Sequence, residues 1–155
     1  MEYLKKIKDT IKKAFGPGEQ SNNKQPSFIQ EKKKILLVDD DKLLHDMYAM
    51  KFQKNGFEVK TASGGLEAIQ IIKDGYIPDV LVTDLMMPTM DGFEILEVIK
   101  NEHLAPDITA VVLTNKGLSE DINKAKEIGF HGYIVKATTI PAGVVEEVKK
   151  ICSGQ

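Results

Sequence analysis

The sequence predicts an α/β fold in which five βα units form one parallel sheet with helices on both faces. Strongly apolar runs, such as ILLV at 35–38 and VLV at 80–82, are typical of strands buried on both faces. Amphipathic stretches with helical spacing alternate with such runs five times. Strands and helices in this order pair as a parallel sheet through right-handed connections.

The predicted strands are short and apolar, which is typical of the interior of a sheet. KILLVDD, PDVLVTD and DITAVVLTN predict strongly buried strands, FEVKTA alternates as a strand does, and GYIVKA is the fifth strand. The five strands are predicted at 34–40, 57–62, 78–84, 107–115 and 132–137.

The helices are predicted from apolar spacing together with residues that begin and end helices. Gly56, Gly75 and Gly129 end three of them, and Asp41 is a candidate N-cap of the first. Thr139 is a candidate N-cap of the last helix, with Pro141 in its first turn. The five helices are predicted at 41–56, 64–75, 92–102, 118–129 and 140–152. In the first of these, the inward-facing residues are predicted to be Leu43, Leu44, Met47, Met50 and Phe52.

A different kind of segment precedes the first strand. Residues 1–15 carry apolar residues at helical spacing with lysines on the other faces, which predicts a short basic amphipathic helix. Residues 16–31 are rich in Gly, Pro, Asn, Gln and Ser and predict a flexible linker, so the globular domain is predicted over 32–155. Protein contact, a homodimer included, is the expected role of the helix. Disorder is a second option, and membrane contact is least expected, because one such helix binds membranes weakly.

Composition excludes several classes of protein. The net charge of −2 divides into +5 over residues 1–34 and −7 over 35–155, and the 155-residue chain contains no arginine. Direct DNA binding is therefore not expected. A single cysteine, Cys152, excludes an internal disulfide framework, and no apolar run reaches the roughly 18–20 residues of a membrane span. The expected location is the cytoplasm.

Polar side chains follow four of the predicted strands at their carboxyl ends. Asp39, Asp40 and Asp41 end the first strand, and Asp84 ends the third. The remaining candidates are Thr114 and Asn115 after the fourth strand and Lys136 at the end of the fifth. Since ligands of such folds bind at the carboxyl ends of the strands, we expect one site there.

The chemistry of this set predicts phosphoryl transfer. Crowded carboxylates require a cation, and oxygen ligands without His or Cys favour Mg²⁺. A carboxylate can form an aspartyl-phosphate, and Asp84 is the expected nucleophile because an apolar strand and a turn hold it at the edge of the sheet. Lys136 and Thr114 would neutralise phosphoryl oxygens.

Four segments carry a resemblance to a known family: ILLVDDDKLL, VLVTDLMMPTMDGFEIL, AVVLTN and GYIVKA. Over residues 33–152 the chain resembles the response-regulator receiver domain of two-component signalling, a flavodoxin-like fold. The resemblance implies that Asp84 is the phospho-acceptor and that Lys136 pairs with the phosphoryl group. It implies an Mg²⁺ site made by Asp39, Asp40, Asp84 and the backbone carbonyl of Met86, with Asp40 a direct ligand. It also implies two switch residues, Thr114 and Tyr133.

The resemblance implies a signalling module rather than an enzyme, although such domains catalyse their own phosphorylation and dephosphorylation. The phosphoryl donor would be a histidine kinase or a histidine phosphotransfer protein. Because only SGQ follows Cys152, the expected output is a phosphorylation-dependent contact with a downstream protein.

Other functions remain open to different degrees. A dehalogenase-like phosphohydrolase needs a second acid two residues after the nucleophile, where this chain has Met86. A nucleotide-binding protein needs a Gly-rich turn after the first strand, where this chain has VDDDKLL. The serious alternative is a phosphorylation-independent interaction module.

Two positions depart from the family pattern. Asn115 stands where a small residue is usual and is expected to alter the lifetime of the phosphoryl group. Ala137 stands where a cis-proline is usual, and a trans Lys136–Ala137 bond is expected because a cis bond before a non-proline residue costs about 2.5–4 kcal/mol. A trans bond would leave the Lys136 ammonium in place but change the surface at which partners dock.

Overall fold

The computed structural model describes Glu2 and residues 31–154. The predicted helix over 1–15 and the predicted linker over 16–31 therefore lie outside the described residues, apart from Glu2 and Glu31. Five βα units were predicted in the rest of the chain and five are observed, with ends that differ by at most two residues.

The strands are β1 (Lys34–Val38), β2 (Glu58–Ala62), β3 (Val80–Thr83), β4 (Thr109–Thr114) and β5 (Gly132–Val135). The helices are α1 (Lys42–Lys54), α2 (Gly65–Lys73), α3 (Gly92–Asn101), α4 (Ser119–Ile128) and α5 (Pro141–Cys152). A single 3₁₀ turn, Lys136–Thr138, connects β5 to α5.

The five strands form one parallel sheet in the order β2-β1-β3-β4-β5. The order reverses next to β1, since β2 lies on one side of it and β3 on the other. Doubly wound sheets bind ligands outside the carboxyl ends of the strands at such a reversal. The fold therefore places its candidate site beyond Val38 and Thr83, the last residues of β1 and β3.

Two apolar cores lie on opposite faces of the sheet. One contains the apolar faces of α2, α3 and α4, with Ile72, Leu96 and Ala125 among its buried members. The other contains those of α1 and α5, with Phe52 and Val148 fully buried. Because both faces are covered, β1, β3 and β4 are buried along nearly their whole length, as their apolar composition predicted.

The predicted inward face of α1 is wrong. Leu43, Met47 and Met50 are solvent-exposed, Leu44 is half-buried, and only Phe52 of the predicted set is buried. The residues that pack inward are His45, Tyr48, Ala49 and Phe52. They also repeat at helical spacing, so α1 has apolar residues on two opposite sides and periodicity alone selected the wrong one.

Of the two predicted helix N-caps, one is confirmed and one is wrong. Asp41 is the N-cap of α1, and its carboxylate accepts hydrogen bonds from the backbone N–H groups of Leu43 and Leu44. Thr139 does not cap α5, because the helix begins one residue later, with Ile140 at the N-cap and Pro141 in the first turn. Among the residues that the structure describes, no helix combines the length and the apolar composition of a membrane crossing.

Candidate functional site

Three carboxylates meet where β1 and β3 end. Asp39 and Asp40 follow β1, and Asp84 follows β3 on the neighbouring strand. One oxygen from each lies within 4.8 Å of the others. Asp39 and Asp84 are buried, with 2% and 9% of their surfaces exposed, whereas Asp40 is open to solvent. Three negative charges this close repel unless cations neutralise them.

The Lys136 ammonium supplies one of those cations. Its Nζ lies 2.5 Å from an oxygen of Asp39 and 3.2 Å from an oxygen of Asp84. Burial is the largest single influence and lowers the pKa of Lys136. The hydrogen bond to Asp39 and the charges of Asp84 and Asp39 together outweigh it, so the pKa lies above the usual lysine value. The ammonium is therefore charged at neutral pH and links the two buried acids.

Backbone groups fix the Asp84 side chain at the end of β3. One carboxylate oxygen accepts hydrogen bonds from the N–H groups of Leu85 and Met86, at 2.7 and 3.3 Å. The carbonyl oxygen of Asp84 accepts the Thr83 hydroxyl at 2.8 Å. The same carbonyl packs against Gly92, where any Cβ would collide with it. The D-G pair at 91–92 thus begins α3 while giving the aspartate room.

The loop after β4 connects the two predicted switch residues. The Thr114 side chain is buried, and its hydroxyl oxygen accepts a hydrogen bond from the N–H of Lys116 at 3.4 Å. The Tyr133 hydroxyl donates a hydrogen bond to the backbone carbonyl oxygen of Lys116. Burial first, and then the charges of Asp121 and Asp84, raise the pKa of Tyr133, so this hydroxyl keeps its proton. Both predicted switch residues therefore contact the backbone of Lys116.

A cavity of about 410 Å³ lies above the carboxylates. Its lining includes most of the predicted site residues: Asp39, Asp40, Asp84, Met86, Thr114, Asn115 and Lys136. Tyr133 and Ala137 are not part of the lining. The lining also includes Asp41, which was predicted in the strand-end set and as an N-cap, and two residues that were not predicted, Leu44 and Lys116. Lys116 is the second residue after β4. The candidates were taken from the residues that end the strands, and including one further residue after β4 would have found it.

The bond between Lys136 and Ala137 is trans, as are the other peptide bonds of the described residues. The chain continues from it into the 3₁₀ turn, and the ammonium still reaches both acids. The expected trans bond with the ammonium in place is confirmed, and the expected change in the surface at which partners dock stays a prediction.

The residues at this site fit a hard divalent cation. All three clustered side chains are carboxylates, and the backbone carbonyl of Met86 belongs to a residue that lines the same cavity. Oxygen ligands beside an open cavity are those that Mg²⁺ prefers, since it retains several waters and binds through few protein groups.

Fold and site together define a doubly wound α/β protein with an acidic site and a lysine at the carboxyl end of its sheet. Residues 35–146 match the family model of the response regulator receiver domain. The chain therefore belongs to the receiver domains of two-component response regulators. These are signalling modules that generally bind Mg²⁺ in an acidic pocket.

Named relatives share this part of the chain. The regulatory protein VanRc of Enterococcus gallinarum is 36% identical over 118 residues, which are 75% of this chain and 48% of that protein. The probable transcriptional regulator ycf29 of Pyropia yezoensis is 33% identical over 103 residues, which are 66% of this chain and 46% of that protein. This chain thus spans about half the length of these relatives.

A similar solved structure is the chemotaxis protein CheY4 of Vibrio cholerae. The TM-score is 0.71 at 28% sequence identity, over 77% of this chain and 98% of that one. The similarity confirms the predicted flavodoxin-like fold.

Proposed function

We propose that this chain is a phospho-accepting response regulator that receives a phosphoryl group on Asp84 from a histidine kinase or a histidine phosphotransfer protein. The observation that carries the proposal is the environment of the Asp84 carboxylate. It lies at the floor of an open cavity, within 3.2 Å of a buried lysine ammonium and beside two further acids. A nucleophilic carboxylate with a fixed cation beside it is what aspartyl-phosphate formation requires.

In the proposed transfer an Asp84 oxygen attacks the phosphorus atom of a phosphohistidine. The new P–O bond forms as the P–N bond breaks, and the bonding electron pair leaves with the imidazole nitrogen, which takes a proton. Catalysis consists mainly of positioning and charge neutralisation, because phosphoryl transfer passes through a loose transition state and leaves the protein little covalent chemistry to perform. The hydrogen bonds from Leu85 and Met86 hold the carboxylate in position for this attack.

Lys136 and the carboxylate cluster have separate tasks in this proposal. Lys136 neutralises charge on the acceptor before transfer and on the phosphoryl group afterwards. Asp39, Asp40, Asp84 and the carbonyl of Met86 would hold Mg²⁺, with Asp40 a direct ligand. The ion would supply a second positive charge to the phosphoryl oxygens.

The signal would leave the site through the loop after β4. A phosphoryl group on Asp84 adds negative charge beside Thr114, whose hydroxyl already contacts the backbone of Lys116. Tyr133 contacts the same residue, so a movement of this loop changes both switch residues. We propose that a downstream protein recognises the altered surface and that the chain also catalyses its own dephosphorylation. Absence of direct DNA binding and location in the cytoplasm stay predictions.

The test is phosphorylation of the full chain by a small-molecule donor. Incubation with phosphoramidate or acetyl phosphate plus Mg²⁺ is expected to add the mass of one phosphoryl group. The Asp84→Ala variant is expected to gain none, and EDTA is expected to suppress the gain in the parent chain. Intact-protein mass spectrometry measures all three.

Asp107→Ala is the matched control, since Asp107 is an exposed acid next to the amino end of β4, away from the site. It is expected to gain the phosphoryl group normally. A parent chain that gains no mass with either donor would contradict the proposal and favour the alternative, a phosphorylation-independent interaction module.

A further inference from the structure

A second cavity, of about 370 Å³, lies at the end of the sheet away from the carboxylates. Its lining includes Ile108, which directly precedes β4, and His131, which directly precedes β5. It has no lining residue in common with the cavity above Asp84. Its volume is that of a pocket for a small organic molecule.

The ionisable side chains that line this cavity are all basic. They are Lys100, His103 and His131, and the other lining residues are aliphatic residues, a proline and a glycine. None of the described residues that line it is acidic, although the domain as a whole carries a net negative charge. Glu102, beside His103 in the chain, pairs with Lys73 of α2 at 3.4 Å. The cavity is therefore a place on an acidic domain where an anion meets positive charge.

The Lys100 ammonium is held in place at this cavity. Its Nζ donates a hydrogen bond to the backbone carbonyl oxygen of Ile128, the last residue of α4, at 2.7 Å. Gly129 leaves room for the ammonium, because any Cβ at that position would collide with it. This hydrogen bond uses one of the three N–H groups of the ammonium, so two donors and the charge stay available to a ligand.

Backbone contacts fix the tautomer of His131. Its Nδ1 accepts a hydrogen bond from the N–H of Ala110 in β4 at 3.0 Å, and its own backbone N–H donates to the carbonyl oxygen of Ala110 at 2.7 Å. A ring nitrogen that accepts a hydrogen bond carries no proton, so the proton of the neutral ring is on Nε2. The free nitrogen of His131 is therefore a hydrogen-bond donor, which suits an anion rather than a metal ion.

His103 occupies a backbone conformation that favours glycine. Its φ is 52°, and it directly follows Glu102, the C-cap of α3, at the position where helices commonly end with Gly. Histidine is among the few other residues found in this region, at a cost in backbone strain. An imidazole at a position that Gly would occupy with less strain points to a use for the side chain, and the side chain lines this cavity.

We propose that this cavity binds a small organic monocarboxylate. The aliphatic lining takes the hydrocarbon body of the ligand, and the carboxylate accepts hydrogen bonds from the Lys100 ammonium and from Nε2 of His131. One fixed ammonium matches one negative charge. The carboxyl ends of α3 and α4 lie at the same end of the sheet, and their partial negative charges disfavour the second charge of a phosphate monoester.

This inference does not depend on phosphorylation of Asp84, so the two proposals fail independently. A titration of the isotope-labelled full chain with benzoate and with isovalerate, in buffer without Mg²⁺, tests it by NMR. Saturable shifts are expected at the backbone amides of Ala110, Gly129 and His131.

Two further compounds test the chemistry of the ligand. Benzamide has nearly the shape of benzoate without its charge and is expected to bind at least about tenfold more weakly, because it lacks the charge-assisted hydrogen bond. Phenyl phosphate is also expected to bind more weakly than benzoate, since it carries a second charge.

Two variants test the residues. Lys100→Met keeps most of the aliphatic stem without the charge and is expected to weaken benzoate binding about tenfold. Lys126→Met is the matched control, since Lys126 is an exposed lysine of α4 outside the cavity lining, and it is expected to bind normally. His103→Gly relieves the backbone strain, so we expect it to unfold at the same or a higher temperature and yet to bind benzoate more weakly. Circular dichroism measures the folding of each variant.

Three results would overturn the proposal. One is the absence of saturable shifts with either carboxylate. The second is binding of benzamide or phenyl phosphate that equals or exceeds that of benzoate. The third is an affinity for benzoate that Lys100→Met or His103→Gly leaves unchanged.

Discussion

At the scale of single residues, Asn115 lies where a side chain can limit the approach of water to Asp84. It lines the same cavity and directly follows Thr114 at the end of β4. Hydrolysis of an aspartyl-phosphate requires a water molecule in line with the bond that breaks. A side chain that fills part of the open cavity leaves fewer positions from which water can attack.

We therefore expect Asn115→Ala to shorten the lifetime of the phosphoryl group. The smaller side chain opens the cavity, and the rate of dephosphorylation is expected to rise by more than about twofold, a barrier change of a few tenths of a kcal/mol or more. The measurement is the loss of the phosphoryl mass with time after removal of phosphoramidate. Asn101→Ala, at the exposed end of α3, is the control and should decay like the parent chain. A rate unchanged by Asn115→Ala would show that the amide does not gate the water.

The same residues show how far sequence reasoning reaches into a site. Side chains that directly end a strand were placed correctly, because parallel strands bring their carboxyl ends to one edge. Asp84 and Lys136 are 52 residues apart in the chain and were still predicted to be neighbours. Leu44 was missed as a lining residue because it reaches the cavity from the first turn of a helix, and no strand end marks it.

At the scale of elements, the prediction failed where one helix offers two apolar faces. The order of strands and helices follows from local patterns, but the face of α1 that meets the sheet depends on the path of the chain between β1 and the helix. Asp39 and Asp41 set this path. The Asp39 carboxylate accepts the N–H of Asp41, and Asp41 caps the helix. Neither hydrogen bond alters the periodicity of the apolar residues, so periodicity could not choose between the faces.

Tyr76 connects the amino ends of β1 and β2, at the end of the sheet away from the candidate site. Its hydroxyl lies 3.1 Å from the backbone carbonyl oxygen of Ile35 in β1 and 3.3 Å from that of Glu58 in β2, so its single hydrogen is shared between the two acceptors. Burial first, and then the charges of Glu58 and Asp79, raise the pKa of Tyr76 to about 12. The folded state thus favours the protonated hydroxyl, which is the form that can donate.

Tyr76→Phe is expected to lower the free energy of unfolding by about 1 kcal/mol at neutral pH, the usual worth of such a hydrogen bond. The raised pKa of Tyr76 also makes the free energy of unfolding depend on pH. The pKa is 10.0 for a reference tyrosine and about 12 in the fold, so the stabilisation from this shift is complete below pH 10 and is lost as pH rises through about 12.

Urea unfolding at a series of pH values measures both effects. The parent chain should lose stability more steeply than Tyr76→Phe between pH 10 and about 12. Parallel pH profiles for the two proteins would show that the hydroxyl is not linked to folding.

At the scale of the whole molecule, the core and the candidate site lie within one stretch of chain. Residues 32–155 form one compact unit, and both apolar cores belong to it. All residues that line the cavity belong to it as well. A sheet covered on both faces is stable only as a whole, since each strand of its interior depends on the helices of both layers.

We therefore predict that a fragment of residues 32–155 folds and accepts a phosphoryl group without residues 1–31. Its urea unfolding, followed by circular dichroism, is expected to show a single cooperative transition, because a domain of this size with one continuous sheet unfolds in two states. With phosphoramidate and Mg²⁺ it is expected to gain one phosphoryl mass, as the full chain does. A fragment without a cooperative transition would place the domain boundary further toward the N-terminus than residue 32. A folded fragment that gains no mass, beside a full chain that does, would assign residues 1–31 a part in the reaction.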